Sequence, residues 1–149
     1  MGKNENKPEL TFADLPVGRT FRPLEYPISR ELVQEFMETV GDRNPLYFDE
    51  ASAQKTALGS SIAPPGLAAI YARLSYLQDH TMPSGGVLAK QEFEFLGPVW
   101  VGDTLKVKAR VSESYLDEKE RKRVTFFIEA ENQRGEAASK VQLYAIWPK

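Results

Sequence analysis

Cysteine is absent from the 149 residues. That excludes disulfides, thiolate catalysis and cysteine-held metal or cluster sites. Histidine occurs once, as His80. Zinc sites normally draw on several His or Cys ligands, so neither a metal nor any other cofactor is expected. No apolar stretch approaches the ~20 residues that span a bilayer. The first segment, Met1–Glu9, is polar and has no signal-peptide core. Gly2 follows Met1, but Asn6 stands where a myristoylation site needs Ser or Thr. Long runs of one charge are also missing, and the net charge is -2. The densest basic cluster, Lys119–Arg123, reads as a solvated hairpin tip rather than a nucleic-acid surface. These absences predict a cytoplasmic protein with no nucleic-acid or membrane partner.

What remains is globular: 42% hydrophobic and 27% charged residues, enough apolar content for one core in a chain of this length. Residues 1–9 read as a loose tail and 10–149 as a single domain. Thr20–Pro27 suits a short strand. Ser29 is a good helix N-cap, and Leu32, Val33, Phe36, Met37 and Val40 then recur at helical spacing up to Gly41. Asp49 suits the cap of a second helix through Ala57, stopped by Gly59. Leu67–Gln78 is apolar over most of its surface, as a buried helix is. Pro64 and Pro65 are tolerated only before or at its first turn.

From residue 87 the period changes to two. Leu105, Val107, Ala109 and Val111 alternate with Lys106, Lys108 and Arg110. Val124, Phe126, Ile128 and Ala130 form a second set, and Val141, Leu143, Ala145 and Trp147 a third. Asp117–Lys122 and Asn132–Gly135 are turns between them. Helices first and strands after is an α+β order. The simplest packing curls an antiparallel meander around the helix at about residues 66–79.

Phe36–Asp49 contains Gly-Asp-Arg-Asn-Pro-Leu-Tyr-Phe-Asp, which resembles the hydratase motif of MaoC-like dehydratases, roughly Gly-Asp-x-Asn-Pro-Leu-His-x-Asp. Ile62–Gly66 (Ile-Ala-Pro-Pro-Gly) stands where that family carries Ile-Ala-His-Gly. Phe95–Leu105 resembles its Phe-x-x-Pro-Val-x-x-Gly-Asp-Thr-Leu strand pair, and Phe12–Gly18 its usual start. The resemblance covers about residues 10–147. It implies a hot-dog fold, pairing of such domains into a homodimer or heterodimer, and an acyl thioester of coenzyme A or acyl-carrier protein as substrate.

Adding water to a 2-enoyl thioester needs a base for the water, an acid for the α-carbon and donors for the thioester oxygen. By position the resemblance implies Asp42 as water holder and base, Tyr47 in place of the family's His, and Gly66 N–H as oxyanion donor. It implies substrate contacts at Asn44, Pro65, Leu67 and Ile70. A phenol of pKa ~10 is a poor base at neutral pH but a competent donor. Tyr47 together with Pro64–Pro65 also resembles the N-terminal-type halves of two-part dehydratases, in which a partner supplies the Asp–His dyad. Three functions follow. One is a hydratase or dehydratase with a modified site, and another is a non-catalytic acyl-binding subunit. The third is a hot-dog thioesterase, which is weaker because Leu67–Gln78 holds no carboxylate.

Local roles stand beside these. Asp42 suits a cap after Gly41, Asn44 the Asn-Pro turn, and Tyr47 simple packing. His80 suits a helix C-terminus or the surface, with acid–base duty toward a partner as the alternative. Ser75, Ser60 and Ser61 have no base nearby in sequence. Leu67, Ile70, Leu74 and Leu77 read as core.

Overall fold

A computed structural model of the chain describes residues 6–149, so residues 1–5 of the expected tail lie outside the described residues. From Pro8 the backbone is paired: Thr81 N–H donates to Pro8 O at 2.9 Å, and Leu10 N–H to Thr81 O at 2.9 Å.

Five strands form one antiparallel sheet: β1 (Leu24–Pro27), β2 (Val87–Phe95), β3 (Thr104–Leu116), β4 (Lys122–Glu131) and β5 (Ala137–Trp147). Their order across the sheet is β1-β3-β4-β5-β2. The expected meander holds for β3, β4 and β5. β2 corrects it, because that strand crosses to the far edge and pairs with β5. The alternating sets predicted for β3 to β5 all face inward, and nearly every member is almost fully buried. Burying one such Leu or Val stabilises by about 1.5–3 kcal/mol, so a slip of one residue that turned a set outward is strongly disfavoured.

The expected strand Thr20–Pro27 is shorter, because Pro23 has no N–H to give the ladder. Pairing resumes on its other side, where Thr20 bridges Arg110 and Phe21 N–H reaches Ala109 O.

Three α-helices precede the main sheet: α1 (Arg30–Val40), α2 (Glu50–Gln54) and α3 (Leu67–Leu74). Ser29 Oγ accepts from Leu32 N–H, so the predicted cap forms. Val40, predicted on the apolar stripe of α1, is exposed. α2 stops at Gln54 rather than Ala57, because Lys55 and Thr56 N–H turn back to residues three earlier.

The sheet curls around α3, the hot-dog arrangement that the resemblance implies. α3 is shorter than residues 66–79. Ser75 Oγ donates back to Ala72 O, and Leu77 N–H bonds Leu74 O in an i→i+3 turn that ends the helix. It is also one-sided. Leu67, Ala68, Tyr71 and Ala72 are buried, whereas Ile70 and Leu74 are 40% and 42% exposed. Those two therefore leave the expected core stripe, because the sheet covers only one face of the helix. β2 is likewise open on both faces, with Val87, Leu88, Phe93 and Phe95 exposed.

The Lys119–Arg123 tip is organised by Asp117. Its carboxylate accepts from the N–H groups of Lys119 and Arg121, and from the guanidinium groups of Arg121 and Arg123. Desolvation alone would raise its pKa. The two arginines and the backbone donors outweigh that and hold it well below the usual carboxylate range. A depressed folded pKa stabilises above the unfolded value of ~3.9, and that contribution is lost as pH falls through the folded pKa. Asp117→Asn should therefore lower the urea midpoint at pH 7, with the gap to wild type closing in acid. A gap that persisted at low pH would contradict this.

Candidate functional site

Gly41 adopts φ 75°, ψ 21°, a left-handed conformation suited to glycine. Its N–H and that of Asp42 both turn back to Met37 O, which closes α1. The next residues form a chain of side-chain caps. Asp42 Oδ1 accepts from Asn44 N–H at 2.9 Å, and Asn44 Oδ1 from Leu46 N–H at 3.1 Å. Pro45–Tyr47 is a 3-10 turn that the sequence reading did not anticipate. Asp49 then caps α2 through Ala51 and Ser52 N–H.

This folding back brings Tyr47 near Asp42. The Tyr47 ring packs against the core at partial exposure. Burial and then the negative charge of Asp42 push the phenol pKa above its ordinary value. The phenol is thus protonated at neutral pH, a donor rather than a base. Among the described residues no hydrogen bond engages its O–H.

The segment before α3 is tied to this loop at one point and touches α1 at another. Ile62 N–H donates to Leu46 O at 3.4 Å. The Phe36 ring of α1 lies over Gly66, where a Cβ would meet Phe36 Cζ at 2.9 Å. The backbone of Gly66 has φ -60°, so it is this contact, not φ, that calls for glycine. Leu67 and Ala68 N–H bond Pro64 O and Pro65 O. Among the described residues nothing accepts from the N–H of Gly66, an exposed residue at the start of the helix. Gly66→Ala should cost about 1–3 kcal/mol as a small-to-large change, read by urea denaturation. Adding Phe36→Leu should recover part of that loss, and no recovery would show that the clash lies elsewhere.

Of the predicted residues, Asp42, Pro65 and Leu67 line cavities, and they line two different ones. Asp42 lines the larger, about 560 Å³, a size that suits a small ligand. Gln34, Met37 and Glu38 of α1 form one side. Arg30 and Phe48 stand toward one end, and Gly41 and Arg43 beside Asp42 at the other. Pro65 and Leu67 line a second, apolar cavity of about 80 Å³ with Ile62, Tyr71 and Ala138. Tyr71 O–H is hydrogen-bonded to Ser139 Oγ in its buried wall. Tyr47, Asn44, Gly66 and Ile70 line neither cavity; Asn44, Gly66 and Ile70 are exposed and Tyr47 is partly buried.

Arg30, Phe48 and Gln34 were missed in the sequence. The available signal was Arg30 itself, a cation in the first turn of a helix, where the dipole disfavours it. His80 lies past the C-terminal end of α3, away from Gly66 and near Asp14 and Asp79. Ser75 Oγ is spent on Ala72 O, and Ser60 Oγ on Glu50 at 2.8 Å. Among the described residues no cluster of three or more His, Asp or Glu is arranged to hold a metal ion, and no helix is long and apolar enough to cross a membrane.

The sequence model of the FAS1-like dehydratase domain region matches residues 16–141. The chain is 38% identical over 104 residues to a 3-hydroxybutyryl-CoA dehydratase of Methylorubrum extorquens, a match spanning 70% of this chain and 65% of that protein. It is 34% identical over 102 residues to a UPF0336 protein of Streptomyces avermitilis, covering 64% and 68%. In fold it is similar to the unliganded R-hydratase PhaJ1 of Pseudomonas aeruginosa. That match has a TM-score of 0.78 and 27% identity, and covers 95% of this chain and 87% of that one.

Proposed function

The chain belongs to the MaoC-like dehydratase family, and from that premise we propose that it adds water to 2-enoyl thioesters, or removes it from 3-hydroxyacyl thioesters, through Asp42, Tyr47 and Gly66. The observation that carries this reading is a carboxylate beside a protonated phenol, in a loop bonded to the segment that ends on the free Gly66 N–H.

In the hydration direction the oxygen of water adds to C3 of the enoyl group. Asp42 takes one water proton while the Tyr47 phenol holds the water by hydrogen bonding. The C2–C3 electron pair shifts toward the thioester oxygen, where Gly66 N–H stabilises the negative charge. C2 then recovers the proton from Asp42, which regenerates the carboxylate. Dehydration is the reverse. Pro65 and Leu67 contribute the apolar wall next to the reacting group, with Asn44 and Ile70 as outer contacts. No cofactor enters the sequence of steps.

A second reading has two observations in its favour. Asp42 and the residues flanking Gly66 line different cavities within one chain, and β2 presents an open edge with exposed Val87, Leu88, Phe93 and Phe95. Pairing through that edge, with a second copy or a complete hot-dog partner, would bury apolar surface left open here. In this reading the chain contributes acyl-binding surface and the partner the base.

The test is loss of enoyl absorbance from crotonyl-CoA with the purified full chain, alone and after co-expression with an intact-dyad hot-dog protein. Turnover by the chain alone supports the first reading, and turnover only with the partner supports the second. Absence of turnover in both, at every acyl length tried, sinks the hydratase assignment. Release of free CoA from a saturated acyl-CoA would revive the thioesterase.

A further inference from the structure

A third cavity, of about 250 Å³, lies about half a turn around α3 from Leu67 and Tyr71. Ala69 and Arg73 of α3, with Tyr76 beyond its end, form one wall. The sheet supplies another through Leu88 and Gln91 of β2 and Leu143 of β5. No lining residue is shared with the cavities at Asp42 and at Pro65.

Three polar side chains meet in this space. Directly paired residues of neighbouring strands share a face of the sheet. Leu88 and Phe93 stand opposite buried Ala145 and Val141, as an inward set does. Gln91 belongs to the same set, opposite buried Leu143. Its amide therefore faces the helix, and among the described residues no hydrogen bond engages it. Arg73 is the one charged residue of the lining. Among the described residues no carboxylate lies within 4.0 Å of its guanidinium. A cation in the last turn of α3 suits the helix dipole. That accounts for the charge, but not for the groups beside it. Tyr76 is 6% exposed and stacks on Phe126 with ring centres 4.2 Å apart. Its O–H has no partner among the described residues. Burial raises the phenol pKa while the nearby Arg73 charge opposes that rise, so the phenol is a donor at neutral pH.

We propose that this cavity binds a short aliphatic carboxylate, with the carboxylate on Arg73, Tyr76 and Gln91 and the chain along Met82, Leu88 and Leu143. Two carboxylate oxygens offer about four acceptor sites, enough for a guanidinium fork and two single donors. A phosphate would bring a second charge with no cation left to meet it. The size follows from the volume. At the roughly 30 Å³ that a water takes in the liquid, the cavity holds roughly eight groups of that size, the non-hydrogen atoms of hexanoate. Neither Asp42 nor Gly66 takes part, so the proposal does not rest on the hydratase reading.

The experiment is calorimetric titration of the purified full chain with hexanoate and with 1-hexanol, which share the chain and differ in charge. Hexanoate should bind about tenfold more tightly. Arg73→Gln should bring the two together. Tyr76→Phe keeps the ring on Phe126 and should weaken hexanoate by about threefold. Acetate, with the same charge and no chain, should bind about a hundredfold more weakly than hexanoate. Should Arg73→Gln fail to fold, raised salt on the wild type reads the same charge. It should weaken hexanoate and leave 1-hexanol unmoved. Equal affinity for hexanoate and 1-hexanol in the wild type overturns the proposal, as does a preference that survives Arg73→Gln. A cavity filled by a second copy of the chain would take neither probe, and that result overturns it too.

A free acid and the far end of a thioester-bound diacid both present this group, and competition separates them. Adipyl-CoA and hexanoyl-CoA share a chain length and differ in the distal carboxylate. Displacement of hexanoate by adipyl-CoA alone assigns the site to a diacid thioester, and displacement by neither assigns it to the free acid. Displacement by hexanoyl-CoA would put hexanoate in the thioester site and overturn the proposal. Crotonyl-CoA turnover enters none of these outcomes, so the hydratase reading stands or falls separately.

Discussion

Asp42→Asn should cost about 10²–10⁴ in the rate of enoyl-CoA hydration, the usual contribution of a general base, while the chain keeps its fold. The substitution separates the cap that Asp42 forms from the base role proposed for the same side chain. As a cap, Asp42 needs only an oxygen for the Asn44 N–H, now 2.9 Å away. The amide oxygen of Asn supplies one. As a base, Asp42 must accept a proton from water, and an amide does not. The urea midpoint should therefore stay close to that of wild type while kcat falls. KM should change little, because proton transfer is felt in the transition state rather than in binding. Asp42→Ala removes the cap as well and should lose both activity and stability. Full kcat in Asp42→Asn would reduce Asp42 to a turn residue and leave the proposed reaction without its base.

What was legible in the sequence was whatever the side-chain period records. Strands β3 to β5 carry inward sets such as Leu105, Val107, Ala109 and Val111, and one buried face forces the alternation. The position of β2 was not legible. Its pairing with β5 joins Val87 to Ile146, a long-range contact with no local trace. The end of α3 was misread for a related reason. Apolar character continues through Tyr76 and Leu77, but composition does not distinguish a helix covered all round from one with Ile70 and Leu74 open. At the candidate site, a local motif pointed to Asp42 and Tyr47, which the fold brings near one another. Arg30 lies a full helix upstream, so only the backbone fold brings it into the same cavity.

The two cavities bear on what a hydratase built on this chain requires. One thioester must meet Asp42 at its β-carbon and Gly66 N–H at its oxygen. Phe36 stands between the two elements, because its ring belongs to α1 and its edge rests on Gly66. Closure of the open β2 edge by a second domain would leave this contact in place, since it lies within the chain. On the proposed reading, the apolar surface on β2 and α3 serves assembly, while Phe36, Asp42 and Tyr47 serve the chemistry. The second class is best reached by changing Tyr47.

Tyr47→His is expected to raise enoyl-CoA hydration by about 10²-fold or more, within the range a positioned acid–base group contributes. The phenol is held protonated by burial and by Asp42, so in the proposed mechanism it orients water without taking a proton. An imidazole at the same place has an unperturbed pKa of ~6.5 and titrates in the working range. The Asp42 carboxylate would raise that value, and partial burial would lower it. These opposed effects keep it near neutrality, where proton transfer in both directions is efficient. A bell-shaped pH profile should appear in the mutant, with a limb that wild type lacks. Some stability should be lost, because the Tyr47 ring packs against the core and imidazole fills less of that space. The double mutant Asp42→Asn, Tyr47→His should fall back toward the rate of Asp42→Asn alone, because the two groups act on one water. A gain from Tyr47→His that persisted without Asp42 would show the new imidazole acting by itself. No gain at all, with the fold intact, would show that the replacement at this position accompanies a site no longer arranged for hydration.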